Sequence, residues 1–156
     1  MRRDEVSGQL SQTAFEFFFQ FSRFEAALKE NQFLNSNKPG DRAEPNWRAF
    51  SAAFAEKYVQ TPAAKKLVEL APETQIVGNS GTLDWKATKT DWCKSELERV
   101  IVLLRTVRNN LFHGAKHGSM TWDNPARTTE LLAASRTVLD ELADLAGFSE
   151  DYERRY

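Results

Sequence analysis

Thr90-Asp91-Trp92-Cys93-Lys94-Ser95-Glu96-Leu97-Glu98-Arg99-Val100-Ile101-Val102-Leu103-Leu104-Arg105-Thr106-Val107-Arg108-Asn109-Asn110-Leu111-Phe112-His113 is the stretch that decides the fold. Its apolar positions Trp92, Leu97, Val100, Ile101, Leu104, Val107 and Leu111 form one stripe when wound as a helix. Gly114 follows, and glycine readily takes the left-handed conformation that stops a helix. The pattern predicts a helix from about Thr90 to His113.

Outward from this element the same period recurs. Phe15, Phe18, Phe19, Phe21, Phe24, Ala26 and Leu28 predict a helix from about Ser11 to Gln32, with Ser11 or Thr13 offering the N-cap. Trp47, Phe50, Ala53, Phe54 and Tyr58 predict another from about Asn46 to Val59. Thr61-Pro62 then opens a short helix, Thr as cap and Pro at its first position, with Pro72 just past its end. A last helix runs from about Pro125 to Ala146, capped by Asp123 or Asn124 and ended by Gly147. Between Gln75 and Thr90, Ile76-Val77 and Gly78-Asn79-Ser80-Gly81 read either as an extended piece with a turn or as an irregular loop. Long helices with short connections predict an all-α fold, an antiparallel bundle of four to five main helices. The 156 residues suit one domain over 1–156, with a charged, frayed tail from about Ser149 to Tyr156.

Composition narrows the function. Eleven phenylalanines and four tryptophans provide large groups for a core, so global disorder is not expected. A net charge of -1 is no basic coat for gripping long nucleic acid, although a local basic site remains compatible with it. Cys93 stands alone, which excludes an intramolecular disulfide and a cysteine-based zinc site and suits a reducing compartment. The charged start Met1-Arg2-Arg3-Asp4-Glu5 is no secretory signal, and no stretch approaches the roughly 20 apolar residues of a membrane span. The expected location is the cytoplasm.

Chemistry concentrates at the end of the central helix. Between Arg99 and Trp122 there is no Asp or Glu, while Arg99, Arg105, Arg108, His113, Lys116 and His117 all lie within it. That is a local positive field suited to an anion. Asn109 and His113 are four apart and share a helix face. Arg108 lies about 140° from His113 on an ideal helix, so the two converge only where the helix ends or across a two-fold interface. Histidine gives or takes a proton near neutral pH. Arginine offers a planar fork of donors to phosphate. Together they suit attack of a ribose 2′-OH on the adjacent phosphate, with Arg108 stabilising phosphoryl charge and Asn109 orienting His113 or binding substrate. The scheme demands no metal or cofactor.

Arg108-Asn109-Asn110-Leu111-Phe112-His113-Gly114 resembles the Arg-(four to six residues)-His signature of HEPN domains, including the polar residue after the arginine. The aromatic first helix, Phe21-Ser22-Arg23-Phe24-Glu25 through Ala27-Leu28-Lys29, is similar to first helices of that superfamily. The resemblance implies a metal-independent endoribonuclease with Arg108 and His113 as its catalytic pair and Asn109 in support. Arg105 and Lys116 would add substrate-binding charge. It further implies RNA as substrate, a homodimer with a composite cleft, and a toxin or defence role with a possible antitoxin protein partner. Other members are non-catalytic modules, so the alternative is a helical dimeric module binding RNA, a nucleotide or a protein.

Other residues have readings of their own. His113 and His117 are spaced as a metal pair, but they need a third ligand such as Asp123 or Glu130, and Gly114 and Gly118 interrupt the helix. The structural alternative for His113 is a C-capping residue, and for Arg108 an interhelical ion pair. The run from Phe15 to Phe24 reads as core, or where it exceeds one stripe, as a dimer interface. The tryptophans read as core or rim residues rather than base-stacking platforms. Glu16 and Glu25 add a carboxylate to the site only if the first helix lines it.

Overall fold

The computed structural model describes residues 8–112, 124–148, 150 and 152. Its elements are α1 (Gln9–Glu30), α2 (Trp47–Phe54), α3 (Pro62–Leu70), β1 (Glu73–Val77), a single 3₁₀ turn (Asn79–Gly81), β2 (Leu83–Ala87), α4 (Glu96–Phe112) and α5 (Pro125–Ala146). The protein is mainly helical. The helical class expected from the sequence holds, and the segment read as either an extended piece with a turn or a loop is the β1–β2 hairpin, antiparallel with Gln75 opposite Trp85 and Val77 opposite Leu83. The turn between the strands needs left-handed backbone, taken by Ser80 at φ 58° and Gly81 at φ 77°. Side chains alternate across it, so Gln75, Val77, Leu83 and Trp85 share one face. Asn110 ties the hairpin to α4 by donating from Nδ2 to the Glu73 carbonyl at 2.8 Å.

Helix ends follow local chemistry. Thr61 and Asn124 cap α3 and α5, their side-chain oxygens accepting the backbone N–H of Ala64 and Arg127, and Pro occupies the first position of each helix. Gly147, at φ 69°, ends α5, and the Phe148 N–H reaches back to the Ala143 carbonyl at 2.8 Å, returning the Phe148 ring to the core. Three expected boundaries differ. α1 starts at Gln9 on an extended Gly8 with no side-chain cap, so neither Ser11 nor Thr13 serves. α2 stops at Phe54 rather than Val59, and a turn over 55–57 leads the chain to the extended Thr61 before Pro62. α4 starts at Glu96 rather than Thr90. There Ser95 Oγ accepts the Glu98 N–H at 3.1 Å, and Glu98 Oε2 accepts the Lys94 N–H at 2.7 Å. This is a variant of the capping box, which satisfies orphan donors of a first turn.

The core is built where these helices meet. α1 packs chiefly on α5, α3 also on α5, and α2 on α4. Phe17, Phe21, Phe24, Ala27 and Leu28 of α1 are buried with Trp47, Phe50, Leu67, Leu97, Leu104, Leu132 and Leu139. The buried face of α1 is therefore rotated from the expected one: Phe15, Phe18 and Phe19 are 61%, 36% and 56% exposed. A run of adjacent phenylalanines admits more than one apolar stripe, and the partners decide which is covered. Trp92, expected in the α4 stripe, precedes that helix and is 60% exposed. In the tail, Tyr152 packs edge-on against Phe24, and its hydroxyl donates to Asp140 at 2.9 Å. The frayed tail expected from Ser149 is thus anchored at that residue, while 149, 151 and 153–156 lie outside the described residues. No helix among the described residues is long and apolar enough to cross a membrane.

Two measurements follow from the core. Phe24→Ala should lower stability by about 3–5 kcal/mol in denaturant unfolding, against within about 0.5 kcal/mol for Phe15→Ala. Tyr58 is pushed up to about 12 by burial and by Glu141 and Glu96. Its neutral form is favoured in the folded protein, so its contribution is complete below about 10 and is lost as pH rises towards 12. Unfolding across that alkaline window should show a decline that Tyr58→Phe makes shallower.

Candidate functional site

Arg108 sits on the last turns of α4, where that helix passes α1. Its guanidinium carbon lies 5.5 Å from the Phe21 ring centroid and 4.9 Å from that of Phe112. Cation–π attraction to both rings holds a charge at the edge of the core, worth about 0.5–1 kcal/mol at exposed sites and more when desolvated. One terminal nitrogen donates to Asn109 Oδ1 at 3.0 Å, and the other lies 4.0 Å from Glu25 Oε2. Nε is buried with no hydrogen-bond partner among the described residues. Charge-assisted hydrogen bonds to carboxylate run about 2.7–2.9 Å, so the 4.0 Å Glu25 contact leaves donor capacity on the guanidinium.

Glu25 is fixed from the other side. Its Oε1 accepts the Trp47 indole N–H at 3.1 Å, and Trp47 is 4% exposed. The first helix therefore lines the site, and Glu25 is the carboxylate it contributes. Glu16 does not join: it pairs with Arg136 at 2.6 Å, whose Nε also donates to Gln20. Asn109, expected to orient His113 or bind substrate, accepts from Arg108, and its side chain is exposed. Arg105 lies one turn before Arg108, exposed and in no ion pair among the described residues. Arg99, at the start of the acid-free stretch, contacts Glu96 at 4.0 Å. His113, Gly114, Lys116 and His117 lie outside the described residues, which end at Phe112 and resume at Asn124.

Phe112 is 51% exposed and meets Phe18 edge-on, ring centroids 4.7 Å apart. With Phe15 and Phe19 these rings give an apolar surface beside Arg108. On α1, Phe15, Phe18 and Phe19 fall within about 100° of arc. Sequence reasoning missed the contacts of Arg108 with two aromatic rings, because they depend on which phenylalanines of α1 turn inward. Among the described residues no three His, Cys, Asp or Glu side chains converge as a metal site, and both histidines fall outside that set. Chemically, the arrangement presents a positioned guanidinium, an exposed amide and an exposed second arginine on one helix end, a set suited to an oxyanion.

Comparison with known proteins returns no match: no family model, curated protein or solved structure resembles the chain significantly.

The two roles of Glu25 separate by substitution. Glu25→Ala leaves the Trp47 indole N–H without a partner and should lower stability by about 1–3 kcal/mol in denaturant unfolding. Glu25→Gln retains an acceptor and should stay within about 1 kcal/mol, since the partly exposed ion pair contributes little.

Proposed function

We propose that the chain is a HEPN-type, metal-independent endoribonuclease acting through Arg108 and His113. The observation that carries this reading is the Arg108 guanidinium, held at the end of α4 between Phe21 and Phe112 with donor capacity to spare, five residues before the histidine. In the reaction the ribose 2′-oxygen attacks the adjacent phosphorus and the bond from phosphorus to the 5′-oxygen breaks. The products are a 2′,3′-cyclic phosphate and a 5′-hydroxyl. One proton leaves the 2′-OH and one reaches the leaving oxygen, and His113 serves as general base or acid in this exchange. Arg108 stabilises charge on the non-bridging oxygens. Asn109 positions Arg108, and Arg105 and Lys116 supply further positive charge for the RNA backbone.

Dimerisation belongs to the same proposal. The exposed rings of Phe15, Phe18, Phe19 and Phe112 form an apolar surface next to Arg108, and a second copy covering it would bring two such arginines near one another. A toxin or defence role with an antitoxin partner would follow from this family reading alone.

A second reading is favoured by a different observation. Arg108 is already engaged by Glu25, Asn109 and two rings, as a structural arginine in a non-catalytic dimeric module would be. Cleavage of a mixed RNA in EDTA separates the two. Wild type is expected to cut, and Arg108→Ala and His113→Ala to lose roughly 10²-fold or more in rate while remaining folded. Equal behaviour of all three proteins, or cleavage that stops on chelation, would rule out the nuclease.

A further inference from the structure

The α4 face that carries Arg108 continues towards its N-terminus into a second feature. Glu98, Ile101, Val102, Arg105, Asn109 and Phe112 succeed one another along one side of the helix. Against this side packs α2, and between them lies a groove of about 380 Å³. Trp47 and Ile101 form its apolar floor, and Arg48, Lys94, Arg105 and Trp92 line it. Arg48, Lys94 and Arg105 are exposed, and among the described residues none makes an ion pair. The groove's carboxylate, Glu98, accepts the Lys94 backbone N–H rather than a cationic side chain. Elsewhere on this surface cations do find carboxylates, as Lys66 does with Glu130 at 2.7 Å and Arg136 with Glu16 at 2.6 Å. Three cations without an ion pair, against the single carboxylate of Glu98, leave the groove with an excess of positive charge that suits a polyanion.

Trp92 supplies the second half of the recognition. It is 60% exposed, outside the helix and outside the core. Its indole N–H donates to the Lys89 carbonyl at 3.0 Å, which fixes one edge of the ring and leaves most of its surface open. An anchored indole beside cations is the pairing that single-stranded nucleic acid uses: bases stack on the ring while phosphates meet the charges. A phosphate-bearing protein or an acidic peptide would use the cations but has no need of the indole.

We infer that the α2–α4 groove is a binding site for single-stranded RNA, with Trp92 stacking a base and Arg48, Lys94 and Arg105 holding the backbone as it runs towards Arg108. This rests on the reading of Arg108 as an RNA-facing residue and adds the path by which substrate reaches it. From the level of Glu98 to that of Arg108 the helix rises about 15 Å, room for a few nucleotides.

The test uses the full chain and a fluorescein-labelled, single-stranded 2′-O-methyl oligonucleotide of mixed sequence, which lacks the attacking hydroxyl and reports binding alone. Anisotropy should show Trp92→Ala weakening binding about tenfold or more, with Trp92→Phe retaining most of it. Lys94→Gln and Arg105→Gln should each weaken binding and lower the slope of log affinity against log salt by about 0.7. The matched duplex should bind less well than the single strand. Trp92 contributes nothing to the core, so its variants should fold, and circular dichroism checks this. If Trp92→Ala binds like wild type, if wild type does not bind, or if a polyglutamate peptide binds with the same dependence on Trp92, the groove assignment is overturned. The two proposals fail separately. Trp92-dependent binding without cleavage of ordinary RNA removes the nuclease and keeps the groove. Cleavage by Trp92→Ala at the wild-type rate, with binding unchanged, keeps the nuclease and removes the groove.

Discussion

The stack of Trp47 on Phe24, ring centroids 5.1 Å apart at 21°, joins the start of α2 to the middle of α1. Around it lie Phe21, Phe50 and, across the Phe24 ring, Phe148 from beyond α5. Such pairs add about 0.5–1.5 kcal/mol each beyond the area they bury. The indole also brings a polar obligation, because a buried N–H without an acceptor is costly. Glu25 meets it, and in meeting it is fixed at the edge of the core with its second oxygen turned to Arg108. One packing decision thereby sets the electrostatics of the surface beside it. Trp47 also floors the groove between α2 and α4, so the core, the arginine and the groove share a side chain.

The exposed aromatics follow from the same choice. Once Phe21 and Phe24 are committed to Trp47, helical geometry turns Phe15, Phe18 and Phe19 away from the core. Phe18 then finds Phe112, and Phe112 together with Phe21 flanks the guanidinium. The apolar surface beside Arg108 and the placement of Arg108 are two consequences of one α1 register. This is why the surface aromatics and the site lie together, and why a partner covering the one would change the surroundings of the other.

Much of the architecture was legible because helical period and capping are local. Thr61-Pro62, Asn124-Pro125 and Gly147 announce ends that depend on a few neighbouring residues, and those ends are where the structure has them. The aromatic run in α1 is different. Its period is overdetermined, and only tertiary partners choose Phe17, Phe21 and Phe24 over Phe15, Phe18 and Phe19. The hairpin is not legible in the sequence, because Ile76-Val77 is too short to distinguish strand from loop and its pairing with Leu83 to Ala87 is not a local fact. At the site, Arg108 and Asn109 were legible as residue types on one helix end. Glu25 was visible only as a condition on where the first helix runs. The groove was not legible, since Arg48 and Lys94 meet only through the packing of α2 on α4.

The start of α4 shows how a single cap reaches function. On an uninterrupted helix from Thr90, Trp92 would lie about 20° around the axis from Leu103, on the buried stripe. The sequence also holds Ser95-Glu96-Leu97-Glu98, and there the Ser95 hydroxyl and the Glu98 carboxylate satisfy backbone donors at the helix start. A helix begun at Ser95 has no reason to extend backwards, and the residues before it turn away. Trp92 then leaves the stripe that its spacing assigns to it and comes to rest beside Arg48, Lys94 and Arg105. The apolar period and the cap make opposing claims on this tryptophan. The cap prevails because it supplies hydrogen bonds that one more helical turn would have to replace. The indole becomes available to a ligand because it is excluded from the core.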